Sequence, residues 1–348
     1  MSVSEAYDLI LQPRKADCLI GAEELQRGFL EALSQGKLHH AWLIGGPESC
    51  GKATFAYLAA KFLLSHQGHA AAVATGATRF SIAENSPAAA KISAGSHSDL
   101  LLFSRRWDQE NKRMTAGIPV DDVRRLTHFF GSTAGEGGWR IVIVDKVDDM
   151  APSAANALLK SLEEPPSNCL FFLLSDHPQR LLPTIRSRCR RAHMNALDHA
   201  QMSEVLNEHL DVFDVEAFEG ISELAAGRVQ YAIDLLQQDH SDLRHDMQAR
   251  LEEGPNETRN LHALADSLSV RGRDALFDEF MERMRLFVHK RALLAASSGG
   301  KNPWVEVWDE LGRQQVQTDT FNLDKKQLIL NLFALLNKAK SAEVGLPT

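Results

Sequence analysis

The sequence predicts a parallel α/β domain followed by helical segments, and three observations carry that prediction. Short, nearly unbroken apolar runs alternate with helical patterns up to about residue 193. A glycine-containing loop joins the first of those runs to the first helix after it, and beyond residue 195 the patterning is helical. Alternation of this kind is what a sheet covered on both faces requires.

The runs Ala41 to Ile44, Leu100 to Phe103, Arg140 to Val144 and Leu170 to Leu174 read as buried strands, with helices at Lys52 to Leu64 and Pro152 to Glu164. In the second helix Ser153 is the expected cap, Ala157, Leu158, Leu159 and Leu162 form the expected buried stripe, and Pro165 and Pro166 stop it. The stretch from Gln67 to Ser98, rich in Ala, Gly and Ser without a period, reads as a loop-rich excursion. From Asn195 to Gln238 three short helical patterns are separated near Asp211 to Asp214 and at Gly227.

After a polar stretch ending in Gly254 and Pro255, Leu276, Phe277, Phe280, Met281, Met284, Phe287 and Val288 repeat at three and four. The run Ala295 to Asn302 breaks the pattern. Pro303 then opens a helix carrying Trp304, Val307, Trp308 and Leu311, and Leu328, Ile329, Leu332, Leu335 and Leu336 close the series. These stripes are either core or surfaces for assembly. The expected division is 1–193 for the α/β domain, 194–240 for a three-helix unit and 241–348 for an all-helical unit.

Composition excludes several classes. The chain has 348 residues, with 44% hydrophobic and 24% charged, so it is globular and holds two or three domains at about 150 residues each. Its 38 Lys and Arg against 46 Asp and Glu give a net charge of −8, which argues against sequence-independent nucleic-acid binding by the chain alone. Any DNA contact is expected to be local or shared. Cys18, Cys50, Cys169 and Cys189 form no Cys-x-x-Cys pair, which argues against a zinc ribbon or a disulfide framework and fits a reducing cytoplasm. The longest strongly apolar stretch, Cys169 to Leu174, is far shorter than a membrane span of about 20 residues, and the N-terminus lacks a signal-peptide core. The expectation is a soluble, intracellular protein with no membrane contact.

The loop after the first strand carries the first chemistry. Gly46, Pro47, Glu48, Ser49, Cys50, Gly51 and Lys52 fill the first seven positions of the phosphate-loop pattern G-x-x-x-x-G-K-[ST]. Such a loop wraps phosphates with backbone N–H groups, and its lysine reaches the outer ones. The eighth position, where a hydroxyl normally ligates Mg²⁺, is Ala53; Thr54 is adjacent, but one helical step turns a side chain by about 100°. The matching acid is Asp145, at the end of Ile141 to Val144, where it could hold Mg²⁺ through water. Lys146 follows it, and an ammonium with a pKa near about 10.4 cannot serve as a base at neutral pH. Autonomous ATP hydrolysis is therefore not expected, while residual ATP binding stays open.

The most specific strings are HHAWLIGGP at His39 to Pro47, AANALLKSLEEPP at Ala154 to Pro166 and LLPTIRSRCR at Leu181 to Arg190. Together they closely resemble the clamp-loader branch of the AAA+ proteins over residues up to about 240, with the tail matching in size and character only. The resemblance implies an AAA+ P-loop domain, a small helical lid and a helical collar. Its implied partners are the ATPase motor subunits and delta in a pentameric ring, the sliding clamp, and primer-template DNA reached through the assembly, at replication forks in the cytoplasm.

It also implies roles for residues. Ser187, Arg188 and Cys189 match the family's Ser-Arg-Cys motif, whose arginine enters a neighbouring subunit's ATP site, and such fingers contribute roughly 10³ to 10⁵ in rate. Arg186, Arg190 and Arg191 read as solvated charges at a strand edge. Ser175 stands at the polar sensor position. The lid motif Gly-Ser-x-Arg is represented by Gly227, Arg228, Val229 and Gln230, so its arginine is missing. The four-cysteine zinc module of many members has no counterpart, and His66, His69 and His97 alone make a poor cage, so no structural zinc is expected. The leading reading is thus a non-motor member donating Arg188. An active motor ATPase and a stand-alone DNA-binding protein are the alternatives, separated by Mg²⁺-dependent nucleotide binding and by salt-dependent DNA affinity.

Overall fold

The computed structural model describes residues 12–65, 78–83, 85–108, 113–115, 117–131, 138–209, 215–237, 241–253, 261–270, 274–296, 302–321 and 324–344. The chain divides into two compact units, Met1–Gln237 and Gln238–Thr348.

The first unit runs α1 (Glu23–Ser34), β1 (Ala41–Gly45), α2 (Lys52–Ser65), α3 (Pro87–Ser93), β2 (Leu100–Phe103), β3 (Trp107–Asp108) and β4 (Arg113–Met114). It continues through α4 (Val120–Gly131), β5 (Arg140–Val144), α5 (Pro152–Glu163), β6 (Cys169–Ser175), α6 (Pro183–Arg186) and β7 (Arg190–His193). Three helices close it: α7 (His199–His209), α8 (Val215–Ala225) and α9 (Val229–Gln237). The main sheet has the order β2-β5-β6-β1-β7, with every pair parallel.

Side chains on a strand alternate between faces, and each face of this sheet has its own core. Trp42, Ile44, Ile141, Ile143, Leu170, Phe172 and Leu174 face the core that contains α1 and α2 residues such as Phe29 and Phe55. Leu43, Val142, Val144, Phe171 and Leu173 face the opposite core, with Leu158 and Leu162 of α5. Both faces are dry, so the strands read as continuous apolar runs. Phe29 sits at the centre of the first core, with ring centroids of Trp42, Phe55, Phe80 and Phe172 at 5.1 to 5.9 Å.

Several expectations need correction. Ser153 does not cap α5: Ala151 takes the cap position and Pro152 the first helical turn, placing Ser153 inside the helix. The stripe of α5 is Ala154, Ala155, Leu158 and Leu162, with Ala157 and Leu159 only partly buried. The segment read as a loop-rich excursion contains α3, whose first turn is closed by Ser86 Oγ accepting from Ala89 N at 3.2 Å. Seven residues show too little of a helical period to stand out, and Ala88 and Ile92 supply the burial. Residues 67–77 and 84 of that excursion, the break at 211–214, the run 254–255 and residues 297–301 lie outside the described residues. The break at Gly227 is required by geometry: its φ is +80°, and a Cβ there would stand 2.6 Å from the Leu197 carbonyl oxygen.

The second unit comprises α10 (Ser241–Glu252), α11 (Leu261–Leu268), α12 (Asp274–Ala296), α13 (Pro303–Phe321) and α14 (Lys325–Val344). Its three apolar stripes form one core, in which Phe280, Met284, Val288, Trp304, Ile329, Leu332 and Leu336 are fully buried. The stripes are therefore core, not surfaces left for partners; the exposed exception is Trp308. Glu279 is completely buried and its charge is answered by Arg244 at 2.9 Å and Arg283 at 2.8 Å, as a buried carboxylate requires. No helix among the described residues is long and apolar enough to cross a membrane.

Candidate functional site

A cleft of about 380 Å³ opens in the first unit where β1 turns into α2. Its floor is the loop Glu48, Ser49, Cys50, Gly51, Lys52, Ala53 and Thr54, and one wall is Asp145, Lys146 and Asp176 at the ends of β5 and β6. The other wall is largely apolar, with Leu19, Ile20, Leu197, Val205 and Val229, and with Gln230 at its edge. Gly51 has φ +93°, and a Cβ on it would press to 2.9 Å from Leu19, so the loop needs glycine there. Ser49 adopts φ +60°, the left-handed region that costs a non-glycine residue roughly 1 kcal/mol.

The charges of the cleft are answered from within. Lys52 donates to the carbonyl oxygens of Gly46 at 2.9 Å and Pro47 at 2.5 Å, and its ammonium lies 2.8 Å from Asp176 Oδ1. Lys146, itself at φ +58°, pairs with Glu48 at 2.5 Å and with Asp176 Oδ2 at 3.5 Å. Partial burial works against the Lys146 charge, but the bond and charge of Glu48 and the charge of Asp176 raise its pKa above the ordinary value. Burial pushes the Asp145 carboxyl up; Lys146 opposes this and Asp176 adds to it. Burial likewise raises the Cys50 thiol against the pull of Lys52.

Most of the residues expected at a nucleotide site converge here. Glu48, Ser49, Cys50, Gly51, Lys52, Ala53, Thr54 and Asp145 all line the cleft, while Gly46 and Pro47 take part through their carbonyls. Ser175 does not line it: its buried hydroxyl donates to Asp148 Oδ1 at 2.9 Å on the other side of the strand. The next residue, Asp176, stands in the cleft instead. Strand parity is the signal that finds it, because Leu170, Phe172 and Leu174 already face α2 and Asp176 continues that series. Arg228 does not line the cleft; it bonds the carbonyls of Leu224 and Ala225 and stacks on Tyr231 at 4.4 Å.

Arg188 is outside the cleft. Its guanidinium donates to Thr184 O at 2.9 Å and pairs with Glu163 at 2.7 Å at the end of α5. Arg190 lies over the Trp42 ring at 4.6 Å, and Arg190 and Arg191 sit on β7, an edge strand of the sheet. Among the described residues no group of three or more His, Cys, Asp or Glu is placed to hold a metal; His97 is buried, and His66 and His69 lie outside the described residues.

Comparison with known proteins places this architecture. The chain is 37% identical over 188 residues to the DNA polymerase III subunit delta' of Pseudomonas aeruginosa, covering 54% of this chain and 53% of that one. It is 29% identical over 231 residues to the DNA polymerase III subunit tau of Escherichia coli, covering 65% of this chain and 33% of that one. The chain thus spans about a third to a half of the length of these relatives. A crystal structure of a DNA polymerase III gamma subunit-related protein from Thermotoga maritima aligns with 90% of this chain and 99% of its own, at 19% identity and a TM-score of 0.48. The family model described as DNA polymerase III, delta subunit matches residues 21–198, just over half of the sequence and all of the sheet. The chain belongs to that DNA polymerase III delta/delta' family, in the clamp-loader branch of the AAA+ proteins.

Proposed function

We propose that the chain is a non-motor, delta'-type subunit of the DNA polymerase III clamp loader, which helps open the sliding clamp and load it onto primed DNA. In this reading residues 1–193 are the AAA+ domain, 194–240 the lid and 241–348 the collar that joins the motor subunits and delta in a ring. Arg188 is the finger presented to the ATP site of a neighbouring motor subunit. The observation that carries the reading is the contrast in placement: Arg188 lies on the surface away from the chain's own cleft, while that cleft has Ala53 and Lys146 where a hydrolytic site needs a hydroxyl and a base.

The cleft keeps the shape of a nucleotide site. Its apolar wall suits a planar base, and the loop with Lys52 suits phosphates. Ala53 offers no side-chain oxygen to Mg²⁺, so no step of the proposal runs through a metal on this chain. The guanidinium of Arg188 can meet the charge that develops on a transferring γ-phosphate of the neighbour with two parallel N–H donors. Sites of this kind work by position and charge, so the subunit contributes without turning over ATP itself.

The test is ATP turnover by the loader reconstituted with clamp and primed DNA, with wild-type chain or Arg188→Ala. A loss of at least tenfold in an assembly that still forms supports the finger. Unchanged turnover refutes it, and Lys52-dependent turnover of several per minute by the chain alone refutes the non-motor role.

A further inference from the structure

Asp176 is an unexpected feature of the cleft, because a carboxylate stands where the phosphates of a nucleotide would place their own negative charge. It touches the loop lysine at 2.8 Å, and the two side chains are only 8% and 18% exposed, so the contact is sheltered from solvent screening. Its position is fixed from behind. Asp148 accepts the Asp176 backbone N–H at 3.0 Å, the Ser175 hydroxyl at 2.9 Å and the His177 N–H at 3.2 Å, which pins the turn that carries the carboxylate. From the front, Lys146 approaches its second oxygen at 3.5 Å while holding Glu48 of the loop. The result is a chain of alternating charge, Glu48, Lys146, Asp176 and Lys52, that ties the phosphate loop to the ends of β5 and β6.

We propose that Asp176 is a built-in occupant of the phosphate position: its carboxylate holds Lys52 and keeps the polyphosphate of a nucleoside di- or triphosphate out of the cleft. A polyphosphate has to displace this carboxylate from Lys52 and then lie beside it, with Lys146 the carboxylate's remaining cation: a like-charge juxtaposition in a poorly solvated place. The loop sequence itself is largely intact, so the block resides in one side chain. The idea rests on the non-motor reading but is separable from it, since it concerns binding and not turnover.

The experiment is titration of the full-length chain with a fluorescent ADP analogue, with and without Mg²⁺, followed by anisotropy. Asp176→Asn keeps the side chain's size and removes its charge; Asp176→Ser is the second variant, and thermal melts establish that each is folded. Asp176→Asn is expected to bind ADP at least tenfold tighter than wild type, and Lys52→Met in the same background to cancel the gain. Equal affinity of wild type and both folded Asp176 variants overturns the proposal, as does a gain that survives Lys52→Met or low-micromolar ADP binding by wild type. ATP turnover is measured on the same wild-type sample: turnover there defeats the non-motor reading, whereas the Asp176→Asn ratio alone decides the occupant.

Discussion

The first unit holds its cations in two opposite ways. In the cleft, Lys52 and Lys146 are each pressed against carboxylates of the same chain, and three carboxylates, Glu48, Asp145 and Asp176, surround the two lysines. On the surface beyond α5, Arg188 meets one carboxylate, Glu163, which is itself about half exposed, and Arg186 keeps a buried Nε without a hydrogen-bond partner. Both sets of cations are paired within the chain, but those of the phosphate loop are enclosed with three carboxylates in a sheltered cleft, while Arg188 meets a single, half-exposed one. Under the proposed non-motor role, the half-exposed pair is the one a neighbour's phosphate would have to open.

The sharpest way to break the comparison is Arg188→Lys in the reconstituted loader. A lysine keeps the charge but loses the planar pair of donors, and its ammonium cannot present two parallel bonds to a phosphate. Turnover should fall at least tenfold, whereas Arg191→Ala, which removes an exposed charge from the edge strand, should change it less than twofold. Equal losses from the two variants would mean that general positive charge, and not a placed guanidinium, is what this surface supplies.

The central strands were legible in the sequence for one reason: β1, β5 and β6 are covered on both faces, so every residue from Ala41 to Ile44 or Ile141 to Val144 is apolar. The loop pattern and Asp145 followed from spacing along the chain. What spacing does not carry is which of two consecutive residues at a strand end points into the cleft, and this is why Ser175 was expected where Asp176 stands. Helices α8 and α9 show the same limit, since spacing along the chain does not reveal that Arg228 bonds the carbonyls of Leu224 and Ala225 and stacks on Tyr231. In the second unit the three stripes were visible, but their mutual closure was not, because helical periodicity gives the buried face of a helix and not what covers it.

A smaller effect tests the surplus of carboxylates in the cleft. The Asp145 carboxyl is raised from its ordinary 3.8, chiefly by burial, so the folded chain binds that proton more tightly than the unfolded chain. The ionised form therefore weighs against folding, and the penalty grows as pH rises through the unfolded value and is complete above the folded one. Asp145→Asn removes it. The variant should melt close to wild type at pH 4 and higher than wild type at pH 7, with each kcal/mol appearing as roughly 2–4 °C. A variant that melts lower at pH 7 would mean that attraction to Lys146 and Lys52 outweighs burial at Asp145.

The smallest expected effect concerns the one carboxylate that pairs with Arg188, the proposed finger. The Arg188 and Glu163 side chains are 34% and 49% exposed, and exposed pairs of this kind contribute about 0–1 kcal/mol. Glu163→Gln should therefore leave the melting temperature within about 4 °C of wild type. Its effect on loader turnover separates two roles for the pair. If Glu163 only parks the guanidinium, a γ-phosphate with more charge displaces it easily, and turnover stays within twofold of wild type. If turnover falls tenfold, Glu163 orients Arg188 for the neighbour and is a positioning residue. We expect the first outcome, because Thr184 O already holds Nη1 at 2.9 Å and fixes the arm of the side chain independently of Glu163.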